Sequence, residues 1–129
     1  MRLLLLTLLL VPIITVAENN VAFLGSYKCS GYDPYLKQSY TGSVLVTQQK
    51  TVYRLNMKYD TGETYDATGG QYDPTLMSVV FQDRENLKRV GLEQYKLADD
   101  KLSMQGYWVY LGEDKLGKEV CKRITTIPK

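Results

Sequence analysis

Apolar and polar residues alternate with period two along most of this chain, and clusters of turn-forming residues interrupt the alternation. The clearest run is 51–59, where Tyr53, Leu55, Met57 and Tyr59 fall on one face and Arg54, Asn56 and Lys58 on the other. That pattern predicts a half-buried strand. Asp60-Thr61-Gly62 reads as a hairpin connection, with Gly62 able to take positive φ. The chain returns through 63–69, with Tyr65 and Ala67 on one face. Further strands are predicted over 24–30, 40–47, 77–82, 89–97, 102–111 and 118–125, with a polar turn at 98–101 and a loop carrying Gly112 and Gly117. No helix is predicted, although 83–88 can make one short turn.

About eight short strands separated by turns describe an antiparallel meander, and a meander of that size can close on itself and lose its exposed edges. The fold class expected is therefore all-β: an eight-stranded antiparallel up-and-down β-barrel. With eight strands the interior is filled by side chains or holds one small ligand. Gly42, Gly69, Gly91 and Gly106 lie inside strands, where glycine usually marks a bend or bulge. Tyr32-Asp33-Pro34 and Tyr72-Asp73-Pro74 echo one another forty residues apart, which turn chemistry explains.

The N-terminal segment breaks the pattern. Arg2 is followed by an apolar stretch of about a dozen residues and then Thr15-Val16-Ala17 ahead of Glu18. This has the shape of a secretory signal peptide over residues 1–17 and is short for a membrane span, which needs roughly 18 or more apolar residues. Cleavage there leaves residues 18–129 as one β-barrel domain, exported to a periplasmic or extracellular setting and with no membrane span.

Composition then narrows the chemistry. The formal net charge of +2 provides no field for nucleic acid or an anionic membrane. Histidine is absent and there are only two cysteines, which excludes Ser-His-Asp and Cys-His catalysis and every His-containing or Cys-rich metal site. No catalytic residue, metal ligand or cofactor is expected. In an exported chain Cys29 and Cys121 read as one disulfide joining the first and last strands; two free buried thiols are the alternative. Glu119 lies two residues before Cys121 and would share its side of the strand. If that side is interior, Glu119 needs a partner such as Arg54, Arg123 or a tyrosine hydroxyl. Glu63, Asp66, Glu93 and Glu119 could in principle serve a glycosidase, but nothing in the sequence brings two of them together. Asp33, Asp60, Asp66 and Asp73 invite a calcium reading, but no loop with calcium-ligand spacing is present and their positions in or beside turns are the ordinary explanation.

Eleven tyrosines, two phenylalanines and one tryptophan are the distinctive feature. The run Gly106-Tyr107-Trp108-Val109-Tyr110-Leu111 is apolar on both faces of its strand. Tyrosine and tryptophan anchor binding surfaces because they bury much area at little entropic cost. The candidate binding residues are Tyr107, Trp108, Tyr110, Tyr65 and Tyr72.

Gly25-Ser26-Tyr27-Lys28-Cys29, Tyr40-Thr41-Gly42-Ser43-Val44, Tyr65-Asp66-Ala67-Thr68-Gly69-Gly70, Gly91 to Tyr95, Leu102 to Trp108 and Gly117-Lys118-Glu119 together resemble a group of small exported bacterial β-barrel proteins. Ala67 stands where that group has glycine. The group is mostly uncharacterised, with some members described as fibronectin-binding. The resemblance implies export and a barrel and brings no catalytic residues. Tyr27-Lys28-Cys29 with the late cysteine also resembles the periplasmic inhibitors of C-type lysozyme, whose serine-glycine loop has no match here. The expected function is a secreted or periplasmic, non-catalytic binding protein that offers tyrosine- and tryptophan-rich surface to a protein or glycan partner. The alternatives are a carrier of one small apolar or aromatic ligand inside the barrel, and a lysozyme-type hydrolase inhibitor acting through 60–70 or 112–117.

Overall fold

Each run of alternation becomes a strand in the computed structural model, which describes residues 22–124 together with Pro12. The expected leader, apart from that proline, lies outside the described residues. The strands are β1 (Gly25–Asp33), β2 (Gln38–Gln49), β3 (Val52–Tyr59), β4 (Thr64–Asp73), β5 (Leu76–Asp83), β6 (Val90–Leu97), β7 (Ser103–Tyr110) and β8 (Gly117–Arg123). Consecutive strands pair antiparallel, and β8 returns to pair with β1, so the eight strands close into an up-and-down barrel with no unpaired edge. No helix forms among the described residues.

Side chains of one parity fill the interior: Tyr27, Val44, Val46, Leu55, Met57, Met77, Val79, Tyr95 and Met104 are all nearly inaccessible to solvent. Cys29 and Cys121 face each other in the β1–β8 ladder, their Cα atoms 4.0 Å apart, and are joined by a disulfide. This bridge ties residues 92 positions apart and fastens the seam that closes the barrel. A loop of that length is worth about 4–5 kcal/mol by chain entropy.

Turn chemistry follows the expectation. Gly62 takes φ 87° in the β3–β4 connection. Asp33 and Asp73 each cap their own turn, Asp33 Oδ1 accepting the Tyr35 N–H at 2.7 Å and Asp73 Oδ1 the Thr75 N–H at 2.9 Å, which accounts for the repeated Tyr-Asp-Pro. Several boundaries differ from the sequence reading: β1 runs on to Asp33 and β2 spans Gln38–Gln49, both longer than expected. β4 continues to Asp73 through a register shift between Gln71 and Asp73, because β5 offers it a partner that far. Gly117, expected in a loop, opens β8 opposite Trp108.

The two ends of the barrel are unlike. At one end residues 22–24 fold across the opening. Phe23 is fully buried, its carbonyl accepts the Tyr27 hydroxyl at 2.8 Å, and Arg123 binds the carbonyls of Ala22 and Leu24 while lying 4.9 Å from the Tyr27 ring centre. At the other end the connections 34–37, 60–63, 84–89 and 111–116 surround a mouth.

Candidate functional site

The mouth is built from glycines and aromatic rings placed against one another. Cross-strand register sets Gly31 opposite Tyr40, Gly42 opposite Tyr59, Gly91 opposite Phe81, Gly106 opposite Tyr95 and Gly117 opposite Trp108. At each of these glycines a Cβ would collide with the ring of that same partner. These glycines are seats on which neighbouring rings lie down, a known device for packing curved sheets. Pairing runs through Gly42, Gly69, Gly91 and Gly106 without a register break, so no bulge forms at these positions, and Gly42, Gly91 and Gly106 serve close packing. Space below each ring is what the sequence supplies there.

Four of these seated rings, with Tyr65 and Tyr110, form a closed girdle of six. Tyr40, Tyr59, Tyr65, Phe81, Tyr110 and Trp108 touch in that order and back to Tyr40, with centroid separations of 5.2–6.4 Å and mostly edge-to-face geometry. They come from β2, β3, β4, β5 and β7, while β1, β6 and β8 contribute Gly31, Gly91 and Gly117 at the same level. Tyr35 lies above Trp108 and Tyr110, and its hydroxyl both donates to the Lys115 carbonyl and accepts the Lys115 N–H at 2.7 Å. Two of the mouth connections are thereby tied together.

Beneath the girdle lie two buried carboxyl groups. Glu93 is 4% exposed and Glu119 is 1% exposed. They sit on β6 and β8, and Gly106 of the intervening β7 leaves the room in which they approach Tyr95. The Tyr95 oxygen is 2.6 Å from Glu119 Oε2 and 2.8 Å from Glu93 Oε1. The Tyr95 hydroxyl thus bridges the two carboxyls, its one proton shared between Glu93 Oε1 and Glu119 Oε2. Burial first, and the Glu119 charge second, push the Glu93 pKa well above the usual carboxylate range. The Tyr59 hydroxyl donates to Glu119 Oε1 at 3.0 Å, and Tyr40, which accepts the Trp108 indole N–H at 2.9 Å, reaches the same oxygen at 3.3 Å. Of the three partners foreseen for Glu119, the tyrosine hydroxyl is the one used, three times over. Arg123 holds the opposite end of the barrel, and Arg54 pairs with Gln49 and Thr68 on the outside. Burial and these neighbouring acids raise the Tyr40, Tyr59 and Tyr95 pKa values, so all three remain hydroxyls. A side-chain hydrogen bond between the Glu93 and Glu119 carboxyls raises the Glu93 pKa further.

At the rim, Arg89 donates to Glu63 at 3.0 Å and to the Tyr110 hydroxyl at 2.8 Å, and lies 4.4 Å from the Tyr110 ring centre. Tyr65 donates to Glu63 and meets the Tyr110 hydroxyl at 2.8 Å. Girdle, rim and floor enclose a cavity of about 40 Å³. That holds a few water-sized groups.

Of the candidate binding residues, Trp108, Tyr110 and Tyr65 come together in the girdle. Trp108 is only 6% exposed, so the expected outward strip is split: Tyr107 faces solvent at 41% exposure on the outer wall. Tyr72, at 97% exposure, stands at the far end of β4 and joins nothing in the mouth. Sequence reasoning missed Tyr40, Tyr59 and Phe81 as girdle members, and its statement that no two carboxylates are brought together is corrected by Glu93 and Glu119. The available signal was the set of in-strand glycines, each pairing with an aromatic. The four turn aspartates are used locally: Asp33 and Asp73 as caps, Asp60 with the Thr41 hydroxyl and Asp66 with Arg84. Cys29 and Cys121 approach Glu119 closely, but their sulfurs are spent on each other.

No protein-family model matches the chain, and no curated protein does. Solved structures similar to it include a redesigned β-barrel (TM-score 0.67, 10% identity, covering 82% of this chain and 95% of that one). A de novo designed fluorescence-activating β-barrel has a TM-score of 0.60 at 10% identity, covering 84% and 100%. A Schistosoma mansoni fatty acid binding protein in complex with arachidonic acid has a TM-score of 0.52 at 12% identity, covering 81% and 97%. At such identities the likeness is one of fold: this chain is a closed β-barrel, with an aromatic cluster at its open end.

Proposed function

We propose that the chain is an exported, non-catalytic binding protein that receives a small ligand, or the head of a larger one, in the aromatic mouth of the barrel. The observation that carries this reading is the closed girdle of six rings around a cavity with a polar floor. An apolar wall with a few placed polar groups is what small-ligand sites have in common. One end of the barrel is plugged by Phe23, which leaves the girdle end as the route of entry. The disulfide is compatible with an oxidising compartment, periplasmic or extracellular. Glu93 and Glu119 are buried and hydrogen-bonded to tyrosines, an arrangement that favours a structural and recognition role over turnover.

Recognition of a protein or glycan is the second reading. Trp108 no longer supports it, but Tyr107 and Tyr32 stand exposed on either side of Lys118 across β7, β8 and β1. The two readings separate in one experiment. Trp108 is the only tryptophan and lies in the girdle, so a ligand in the mouth changes its emission saturably, and native mass spectrometry of protein taken from its producing cells shows the added mass. A bare chain whose Trp108 emission ignores every small aromatic compound tried would defeat the mouth reading and leave the outer wall.

A further inference from the structure

We propose that the outer wall over β7, β8, β1 and β2 binds an acidic polysaccharide, with its carboxylates on Lys118, Lys122 and Lys28 and sugar faces on Tyr32 and Tyr107. This rests on the outer wall being a recognition surface and is independent of the mouth. The small net charge conceals a segregation. The outward side chains of the eight strands include the cations Lys28, Arg54, Lys58, Lys96, Lys118 and Lys122 but a single acid, Asp66, which Arg84 holds at 2.7 Å. Every other described acid lies inside the barrel or at its ends. From β6 through β7, β8 and β1 to β2 the outward face therefore carries positive charge alone.

Register arranges this face in rows. Ser39, Tyr32, Lys118 and Tyr107 stand side by side, then Thr41, Ser30, Val120 and Gln105, then Ser43, Lys28, Lys122 and Ser103. Lys28 directly opposes Lys122, and like charges so placed in a ladder repel. Neither of them, nor Lys118, joins an ion pair among the described residues. A bound anion relieves that repulsion. Beside Lys118 the wall is indented, and Ser30, Tyr32, Ser39, Thr41, Gln105 and Lys118 border an open groove of about 460 Å³. Lys118 and Lys122 are four residues apart on β8, about 13 Å along the strand, a span for a short oligosaccharide.

Each class of partner meets this face differently. An acidic glycan offers hydroxyls to the serine, threonine and glutamine side chains, C–H faces to the exposed phenols and carboxylates to the lysines. A nucleic acid strand brings a phosphate with every unit, whereas the groove holds one cation, Lys118, and has Asp60 at its edge accepting the Thr41 hydroxyl. An anionic bilayer takes up projecting apolar side chains beside basic ones and would leave the groove empty. A protein partner needs an apolar centre to its interface, and Val120 is the one aliphatic side chain in the three rows.

The test titrates four probes into the whole protein by calorimetry: hexagalacturonate, its methyl ester, a deoxythymidylate decamer and phosphatidylglycerol vesicles. Hexagalacturonate is expected to bind tightest, with the ester weaker by about tenfold, as a few exposed ion pairs supply, and the difference shrinking in high salt. Lys118→Gln with Lys122→Gln loses that same factor, and Tyr32→Ser weakens acid and ester alike. Lys50→Gln with Lys88→Gln removes equal charge from two connections and leaves the affinity unchanged. All five positions are exposed, where substitution leaves folding intact. An ester that binds as tightly as the acid, or equal losses from the two lysine pairs, overturns the assignment of Lys118 and Lys122. Thymidylate or vesicles binding tighter than hexagalacturonate overturns the glycan and keeps the wall as a recognition surface. Silence from all four overturns both, and leaves the mouth to its own Trp108 titration.

Discussion

Glu93→Gln carries the sharpest prediction about stability. In the unfolded chain a glutamate titrates near pH 4.3; in the barrel, burial and the Glu119 charge hold Glu93 protonated well above that. Between the two values the folded state binds one proton more than the unfolded state, so stability is complete below about pH 4.3 and declines as pH rises toward the folded pKa. The slope is about 1.4 kcal/mol per pH unit. For a domain of roughly 100 residues that is roughly 6–11 °C of melting temperature per pH unit. Other resolved shifts lie outside the window: Tyr27, Tyr40, Tyr53, Tyr59, Tyr65, Tyr95 and Tyr110 are raised from 10.0, Arg84 and Arg89 from 12.5, and exposed Asp73 is lowered from 3.8.

Glutamine keeps the shape of the neutral acid and the ability to donate to Tyr95, but has no proton to lose. Thermal unfolding followed by circular dichroism at pH 5, 6, 7 and 8 is then expected to show the wild-type melting temperature falling and the variant's nearly flat, with the variant ahead at the upper end. Parallel curves for the two proteins would mean that Glu93 is not held neutral.

Further expectations concern the seam, the seats and the rings. Replacing Cys29 and Cys121 together by serine costs about 4–5 kcal/mol, and reductant lowers the wild-type melting temperature correspondingly; no change in either would contradict the covalent closure. Gly117→Ala drives a methyl into the Trp108 ring and is expected to cost about 1–3 kcal/mol with a red shift in Trp108 emission, while Gly70→Ala, where a Cβ meets nothing within 4 Å, is near neutral; equal effects at the two sites would refute the seat argument. Trp108→Ala removes a girdle member and the donor to Tyr40, and calorimetry should record a loss of about 3–5 kcal/mol.

The eight strands and the closing bridge were legible because each depends on something local. Period-two alternation assigns faces, turn residues assign breaks, and two cysteines in the first and last runs leave one pairing. Parity also separates Trp108 and Tyr110 from Tyr107, since side chains two apart share a face and adjacent ones do not. What parity leaves open is which face is interior, and an apolar run on both faces such as 107–110 does not answer it. Tyr72 shares the outward parity of Asp66, Thr68 and Gly70, and burial along β4 ends before the strand does.

The mouth was illegible for a different reason: it is a property of register. Alternation says that Gly117 and Trp108 point the same way in their own strands, but only the β7–β8 pairing places one under the other. The same holds for Glu93 and Glu119, which lie two strands apart and approach each other because Gly106, paired with Tyr95 and Glu119, leaves room for the Glu93 carboxyl. A larger residue at position 106 would keep the two acids from Tyr95, and the cavity would have no polar floor. Five inward glycines, each facing an aromatic ring of the next strand, therefore bear both on the curvature of the barrel and on the chemistry of its open end. Once a register is fixed, an inward glycine beside a cross-strand aromatic marks where a ring lies flat, and an inward glycine between two acids marks where they meet.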